Sequence, residues 1–409
     1  MDFLDDPKQA TFRAEARAFL AEHWPLRKSD RGFTSDAGWD TPEGLAASRG
    51  WQARRFEAGW AVLTWPKEFG GRGLGTIDDI LFEQEQARFE TPFTSSFMMG
   101  LGMLGPTLMV HGTTEQKARH LPPMARGDAL WVQLFSEPSA GSDLAAVRTT
   151  ARREGDGWMI EGQKVWTSAA HVGDFGLCVT RTDPNVVKHD GLTVFIVDLH
   201  LPGIEVRPIK QVSGEEDFNE VFLNGVRVGD DCRVGAVGAG WKVVTTCLMN
   251  ERVSLDGLWS PGVRDLIELA RAVQIDGRPA IEDPAVAERI AEFHVRLAGV
   301  ERFGLRTVTA IAKGSTPGPE SSITKLTLGR LGQEIASFAV DLQGMAGGEV
   351  DLRHGFQQGY LKSPALRLAG GTDEILRNVL AERVLRLPKE PRADAGIAFK
   401  DLRSGSKVS

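Results

Sequence analysis

Residues 134–146 of this 409-residue chain read LFSEPSAGSDLAA, a strand-like run that breaks into small residues and hydroxyls. A loop of this composition exposes backbone N–H groups, which can bind a phosphate group or the edge of a flavin ring. Taken alone, such a segment is more often a solvated turn, because Gly, Pro, Asp and Ser dominate turns for conformational reasons. The segments that follow decide between a turn and a cofactor loop.

A second segment, KVWTSAA at residues 164–170, reads as a strand. Its Trp166 and Ser168 are two positions apart, so both side chains should face the same side of the sheet. A tryptophan in a strand usually packs in the core. Its flat face can also stack on an isoalloxazine ring while a nearby hydroxyl donates to a ring nitrogen. The segment alone favours core packing.

A third segment, RLAGGTDEILRNVLAERVLRLP at residues 367–388, contains the run Gly370-Gly371-Thr372 and continues from it as a strong helix pattern. Free N–H groups at the start of a helix attract an anion. The alternative is a simple glycine turn in which Thr372 caps the helix.

Outside these segments, the first part of the chain predicts an N-terminal α-helical domain, residues 1–129. Asp6 and Pro7 are a cap residue followed by a first-turn proline. Apolar residues then recur at helical spacing, as they do on one buried helix face. They are Phe12, Ala16, Phe19 and Leu20.

The pattern changes over residues 130–233, which we interpret as the middle β domain. Short apolar and β-branched runs, such as GLTVFIVDL at 191–199, are separated by turn signals. GDG at 155–157 and Asn224-Gly225 are two such signals, and the second is typical of a hairpin turn.

Helical periodicity returns in the remainder, residues 234–409, which predicts a C-terminal helical bundle. One apolar stripe follows an Asp283-Pro284 start, and a second lies further along the chain. The stripes are Ile290, Phe293, Leu297 and Val300, then Leu328, Leu331, Ile335, Phe338 and Leu342. Residues 275–286 and 313–320 read as loops between helices. The tail after Pro388 is expected to be loosely ordered.

Composition excludes several classes of protein. The formal net charge is −7 and no long basic run occurs, which argues against a broad nucleic-acid interface. The three cysteines are too few and too scattered for a disulfide framework or a zinc site, so no metal is expected and a reduced cytoplasm fits best. The acidic N-terminus does not resemble a secretion signal. The longest apolar stretch, residues 97–110, is interrupted by glycines and falls short of the roughly 20 residues that span a bilayer.

One motif is misleading. GLGMLG at residues 100–105 satisfies the dinucleotide-binding pattern GxGxxG. No convincing strand precedes it and no βαβ unit surrounds it, so a nucleotide site is not expected there. Its methionines and glycines suit an adaptable apolar wall.

Together and in this order, SEPSAGSD (136–143), WTS (166–168) and GGTDEILRNVLAERVL (370–385) resemble the acyl-CoA dehydrogenase family. WPKEFGGRGLG (65–75) and NERVSL (250–255) add to a resemblance that extends from Asp6 to Pro388. It implies an α+β multidomain fold with an N-terminal α-helical domain, a middle β-barrel-like domain and a C-terminal four-helix bundle. Members usually assemble as a dimer of dimers.

The resemblance further implies that FAD is the cofactor. Residues 133–136 would line the flavin pyrimidine, Ser142 would reach the pyrophosphate, and the 166–168 segment would lie at the isoalloxazine. The full set of cofactor-binding positions carried over is Gln133, Leu134, Phe135, Ser136, Gly141, Ser142, Trp166, Ser168, Asp341, Gly344, Thr372 and Glu374.

Many members carry their catalytic carboxylate directly before the glycine-threonine pair of the third segment, where this chain has Gly370. Long-chain and isovaleryl-type members instead use a Glu-Arg pair on an earlier helix, which matches Glu251-Arg252. Glu251 is therefore expected to remove the α-proton, since a carboxylate in a dry pocket has a raised pKa. The alternative for Glu251 is an ordinary ion pair with an arginine. Asp373 and Glu374 are rival bases.

In the expected reaction an acyl-CoA thioester becomes a trans-2-enoyl-CoA, as in fatty-acid β-oxidation, and the β-hydride passes to flavin N5. The Gly370 N–H and a ribityl hydroxyl would stabilise the enolate-like oxygen. Met98, Met99 and Met103 fall where the family's acyl cavity lies, although core packing explains them equally well. The substrate-contacting set is Ser142, Met98, Met99, Arg252 and Gly370.

Two departures from the family pattern affect assembly. Met345 replaces a glycine in DLQGMAG (341–347), and an Arg-x-x-Phe-Gly element that usually reaches FAD from a neighbouring subunit is absent near residues 277–279. A homodimer or homotetramer that passes electrons to an electron-transferring flavoprotein is the first expectation. A heterotetramer subunit with incomplete activity alone, or a flavin oxidase on the same fold, are the alternatives. The sequence does not identify the acyl group.

Overall fold

The computed structural model describes residues 5–27, 41–254, 262–313, 318–348 and 355–402, apart from the side chains of residues 251–254 and 311–312. The statements that follow concern these residues.

The N-terminal part is helical, as predicted. Its first helix begins at Pro7, where the Asp6 carboxylate accepts the backbone N–H groups of Lys8 and Gln9 and thereby caps it. The predicted apolar face of that helix packs in a core with Trp51, Trp60 and Phe82. The helices are α1 (Pro7–His23), α2 (Pro42–Glu57), α3 (Thr76–Gln86), α4 (Gly105–His111) and α5 (Thr114–Arg126).

The GLGMLG motif forms a short π-helix, Met99–Leu104, that leads directly into α4. Gly105 is tightly packed there, since a Cβ atom at this position would lie 2.4 Å from the Trp65 ring. The segment is therefore a packed helical wall.

The middle part is one eight-stranded sheet. Its strands are β1 (Trp131–Leu134), β2 (Thr150–Glu154), β3 (Gly157–Ser168), β4 (Phe175–Arg181), β5 (Leu192–Asp198), β6 (Ile204–Ile209), β7 (Phe218–Gly229) and β8 (Arg233–Val234). They pair in the order β6-β7-β3-β2-β4-β5-β8, and β1 also pairs with β4. The apolar run at 191–199 forms β5, which is buried over most of its length.

The prediction of a hairpin turn at Asn224-Gly225 was wrong. These residues lie inside β7, where Gly225 has φ +64° and the pairing with β3 shifts between Ile160 and Gly162. A glycine with a positive φ occurs in β-bulges as well as in turns. The long strand therefore continues past the dipeptide.

The C-terminal part returns to helices, and both predicted stripes lie on long ones. They meet where the rings of Phe293 and Phe338 contact each other at 5.8 Å between centroids. The helices are α6 (Gly240–Ser254), α7 (Val263–Ala272), α8 (Pro284–Ala312), α9 (Ser322–Leu342), α10 (Phe356–Leu366) and α11 (Asp373–Val379). The predicted loop at 275–286 contains a small hairpin of β9 (Gln274–Ile275) and β10 (Arg278–Pro279).

The expectation of a loose tail after Pro388 was also wrong for residues up to 402. Phe399 is buried against the middle domain, and its N–H donates to the Val186 carbonyl at 2.8 Å. The fold class is as predicted: a helical N-terminal domain, a β domain and a helical C-terminal domain. None of the helices in the described ranges is long and apolar enough to cross a membrane.

Candidate active site

The 134–146 loop is built around a buried ion pair that sequence reasoning missed. The Glu137 carboxylate accepts the N–H groups of Arg148 and Thr149 at 2.6 and 2.9 Å, and so ties the start of the loop to its end. Lys164 Nζ lies 2.8 Å from the same carboxylate. The side chains of the pair are only 0% and 4% exposed.

Lys164 also joins the loop to two strands. Its ammonium group donates to the carbonyls of Phe135 at 3.1 Å and Val179 at 2.7 Å. Burial alone would raise the pKa of the Glu137 carboxyl, but Lys164 and the two N–H donors hold that pKa below its usual value. The Glu137 carboxyl is therefore ionised near neutral pH. A lysine at an inward-facing position of a strand was the one sequence signal for it.

Trp166 follows Lys164 by two residues and does not pack in the core. It lies at a β-bulge, where the pairing of β3 with β7 shifts between Lys164 and Thr167, and its backbone has φ +59°. Its indole is 59% exposed and touches the edge of the Phe218 ring. A bulky residue in the left-handed region is strained, and such residues cluster at functional sites. The core-packing interpretation is thus contradicted.

The bulge gives a stability prediction. We expect Trp166→Gly to be more stable than Trp166→Ala by about 1 kcal/mol, because only glycine adopts a positive φ without steric cost. Thermal unfolding of the two FAD-free variants measures this difference. Equal stability, or a more stable alanine variant, would contradict the strained geometry.

The loop and the strand lie side by side. The Val165 N–H donates to the Ser136 carbonyl at 2.9 Å, so residues 134–136 run next to the segment that carries Trp166. Leu134 and Phe135 are buried, whereas Ser136 and Ser168 are partly exposed. Gly141 and Ser142 are exposed at the tip of the loop, and a Cβ on Gly141 would meet no atom within 4 Å.

Gln133 connects this region to the C-terminal domain. Its amide nitrogen lies 3.2 Å from the Cys247 sulfur on α6 and 3.8 Å from the Met103 sulfur. Position 251 is one turn beyond Cys247 on the same helix. The side chains of Glu251 and Arg252 lie outside the described residues, so their predicted roles as base and substrate contact stay predictions.

Met98 and Met99 both contact the main hydrophobic core beside this junction. Met99 is buried and Met98 is half-buried. Their packing accounts for both residues structurally, and contact with an acyl chain stays a prediction.

The Gly370-Gly371 turn is held on both sides. Both glycines have positive φ, +64° and +95°, and Lys325 Nζ on α9 donates to the Gly371 carbonyl at 2.5 Å. Asp373 is buried and accepts a hydrogen bond from Arg367 Nε at 2.7 Å, and Arg367 Nη2 lies 2.7 Å from the same carboxylate oxygen. This ion pair makes Asp373 a poor candidate for a base.

The neighbouring Thr372 caps α11, accepting the Ile375 N–H at 3.3 Å. Glu374 points outward with 73% of its side chain exposed, which disfavours it as a base in a dry pocket. The contacts of both residues with FAD stay predictions.

The two remaining predicted cofactor residues, Asp341 and Gly344, lie at the C-terminal end of α9, in a different domain from the 134–146 loop. Both are exposed, as is Met345 at 99%. Within the described residues, no group of His, Cys, Asp and Glu side chains is arranged to hold a metal ion.

Comparison with known proteins bears on the whole chain. Three family models match it: acyl-CoA dehydrogenase N-terminal domain at residues 6–128, middle domain at 133–226 and C-terminal domain at 238–385. The acyl-CoA dehydrogenase IpdE1 of Mycobacterium tuberculosis is 38% identical over 394 residues, which cover 93% of this chain and 98% of the relative.

Two solved structures share the fold. The Tcur3481-Tcur3483 steroid ACAD is 28% identical with a TM-score of 0.79, and the ChsE4-ChsE5 complex from Mycobacterium tuberculosis is 29% identical with a TM-score of 0.76. Each alignment covers 95% of this chain and 100% of the other. With domain matches along its length and a relative of near-equal length, this chain belongs to the acyl-CoA dehydrogenase family of FAD-dependent oxidoreductases.

Proposed function

We propose that the chain catalyses the FAD-dependent α,β-dehydrogenation of an acyl-CoA thioester to the trans-2-enoyl-CoA, with Glu251 as the base. The observation that carries this proposal is the indole of Trp166, which is exposed on a strained bulge beside the 134–146 loop. A large aromatic face held in solvent at some cost in backbone strain is a platform for a flat partner.

The residues of this region fit FAD. Trp166 would stack on the isoalloxazine, and the hydroxyl of Ser168, two residues further along the strand, would hydrogen-bond the ring. The exposed Gly141 and Ser142 would hold the pyrophosphate, since the space around Gly141 is open. Gln133, Leu134, Phe135 and Ser136 would line the pyrimidine end. Asp341, Gly344, Thr372 and Glu374 would complete the site from the C-terminal domain.

The pattern of burial along α6 supports Glu251 as the base. Val243, Val244 and Cys247 are buried on one face, which contacts Gln133 through Cys247. A helix returns to the same face every three to four residues, so position 251 is the next on that face. A carboxylate there would be partly dehydrated and would take the α-proton of the thioester.

The Gly370 N–H would stabilise the negative charge that develops on the thioester oxygen. Its turn is fixed by Lys325 on one side and by the Arg367–Asp373 ion pair on the other, so the donor is preorganised. FAD, when bound, supplies the acceptor for the β-hydride at flavin N5. Ser142, Met98, Met99 and Arg252 would surround the substrate.

Asp373→Asn separates a positioning role from that of a base. We expect it to keep dehydrogenase activity within about tenfold and to lower the free energy of unfolding by about 1–3 kcal/mol, because Arg367 loses a charged partner. Rapid-mixing absorbance and urea unfolding measure the two effects. Loss of activity by a thousandfold or more would instead indicate that Asp373 is the base.

The proposal is tested by mixing the purified protein with acyl-CoA thioesters in the absence of oxygen. Straight, branched, aromatic and steroid-derived acyl groups belong in the panel, the last because one structural neighbour is named a steroid ACAD. We expect a yellow protein whose flavin absorbance bleaches with at least one thioester. Reoxidation by an electron-transferring flavoprotein is expected to be much faster than reoxidation by oxygen. Rapid formation of hydrogen peroxide would instead favour an oxidase.

A second candidate is one subunit of a heteromeric acyl-CoA dehydrogenase. It is favoured by the exposed Met345 where the family has a glycine, and by similarity to the ChsE4-ChsE5 complex, which carries two subunit names. The native mass of the purified chain and its FAD content per chain decide between a homo-oligomeric enzyme and a subunit of a heteromeric one. A homodimer or homotetramer with one FAD per chain supports the first candidate, and a fraction of one FAD per chain supports the second.

A further inference from the structure

The segment of residues 392–402 lies beyond the C-terminal family match, which ends at residue 385. It packs on the middle domain as an extra layer. The backbone N–H groups of Phe399 and Lys400 donate to the carbonyls of Val186 and Pro184 at 2.8 and 2.9 Å, and Ala398 forms a β-bridge with Val187.

An aromatic contact joins this segment to the 134–146 loop through Arg181. The Phe399 ring covers the Arg181 guanidinium at 3.7 Å from the ring centroid. That guanidinium donates to the carbonyls of Ala145 at 2.5 Å and Val147 at 3.3 Å. Arg181 is the last residue of β4 and is buried. This burial lowers the pKa of its guanidinium to about 10.

An ionic contact makes the same connection through Lys188. Its ammonium group lies 2.7 Å from the Asp143 carboxylate in the loop and 2.5 Å from Asp394 in the segment. Arg392 also pairs with Asp394, at 3.0 Å. Two chains of contact therefore run from the C-terminal segment to the stretch that carries Gly141 and Ser142, and they are joined where Arg181 donates to the Lys188 carbonyl at 2.7 Å.

We propose that residues 392–402 are a strap that positions residues 141–147 for cofactor binding, with Phe399 and Asp394 as positioning residues. This inference rests on the proposed function for the role of the loop. Phe399 keeps water from Arg181, which strengthens the hydrogen bonds that fix the backbone at 145 and 147. Asp394 orients Lys188 towards Asp143, and this limits how far the loop tip can move.

The test uses the full-length protein and the variants Phe399→Ala and Asp394→Asn. Backbone amide hydrogen exchange is measured for residues 141–148 in FAD-free protein, and the rate of FAD release is measured in holoprotein. We expect exchange in 141–148 to be at least about tenfold faster in Phe399→Ala, FAD release to accelerate by a similar factor, and smaller changes in the same direction in Asp394→Asn.

Ile397→Ala is the matched control, since it removes an exposed apolar side chain from the same segment and leaves the Phe399 ring over Arg181 in place. Phe399→Tyr keeps the ring and is expected to restore wild-type exchange and FAD release. If Phe399→Ala fails to fold, Asp394→Asn carries the test, because it deletes only the charge at the partly exposed end of the strap.

The proposed strap is refuted if Phe399→Ala and Asp394→Asn have the same exchange and FAD-release rates as Ile397→Ala. It is also refuted if exchange accelerates equally over the whole β domain, because a merely structural role would have that effect. Failure of the proposed function is distinguishable. A wild-type protein that holds no FAD would end that proposal, while the exchange measurement would still decide whether the segment positions the loop.

Discussion

The Glu251→Gln protein is expected to bind FAD as the wild type does and to lose flavin bleaching by its acyl-CoA substrate by about 10²- to 10⁴-fold. An amide of the same size keeps the packing of the helix but cannot accept the α-proton, and removal of a general base has effects of this size. Anaerobic rapid-mixing absorbance measures the rate, and the visible spectrum measures retained FAD.

Glu288→Gln is the matched control for this experiment. Glu288 and Arg289 on α8 repeat the Glu-Arg sequence within a helix, and Glu288 is exposed. Its substitution should leave bleaching unchanged. A Glu251→Gln protein with wild-type activity would mean that Glu251 is only an ion-pair partner of an arginine, and the base would have to be found elsewhere.

The Lys164→Met protein is expected to lose about 3–5 kcal/mol of unfolding free energy, because it leaves the Glu137 carboxylate buried with an uncompensated charge. The loop ends held by that carboxylate should loosen with it, so FAD binding should weaken as well. Replacing both partners, in Lys164→Met/Glu137→Gln, should destabilise less than the sum of the single changes, since no charge remains unpaired. Urea unfolding, followed by circular dichroism, measures the unfolding free energies of Lys164→Met, Glu137→Gln and the double variant.

Arg152→Met provides the comparison for an exposed pair. Arg152 and Glu161 lie on neighbouring strands of the same sheet, 3.5 Å apart, and both side chains are more than half exposed. Its loss should change stability by less than about 1 kcal/mol. If Lys164→Met were no more damaging than Arg152→Met, the buried pair would not hold the loop.

The same pair contributes to acid sensitivity. The Glu137 carboxyl has a folded-state pKa below its unfolded value of about 4.3, so its stabilising contribution is present above that value. It is lost as the pH falls through the folded-state pKa. The stability difference between wild type and Glu137→Gln should therefore shrink below about pH 4, which the same unfolding experiment measures.

Much of the fold could be predicted because its signals are local. The cap at Asp6, the stripe from Ile290 to Val300 and the apolar run at 191–199 each depend on residues close in sequence. The two segments that we expected to form a cofactor site, 134–146 and 164–168, are indeed adjacent, joined by the Val165–Ser136 hydrogen bond.

The errors come from contacts that are distant in sequence. Whether Asn224-Gly225 turns or bulges depends on the register that β3 imposes on β7, and that register is not local. The left-handed Trp166 arises from the same pairing. In the sequence, Phe399 is one apolar residue in a polar tail, and nothing near it indicates that its ring packs on Arg181. The sequence alone therefore predicted a loose end.

The most direct test of the account is the mass of the thioester after a single anaerobic turnover. One equivalent of flavin in the wild-type protein should convert one equivalent of a bleaching acyl-CoA to a product that has lost two hydrogen atoms, as α,β-dehydrogenation requires. An acyl-CoA panel that leaves the bound flavin oxidised and every thioester at its original mass would contradict the account.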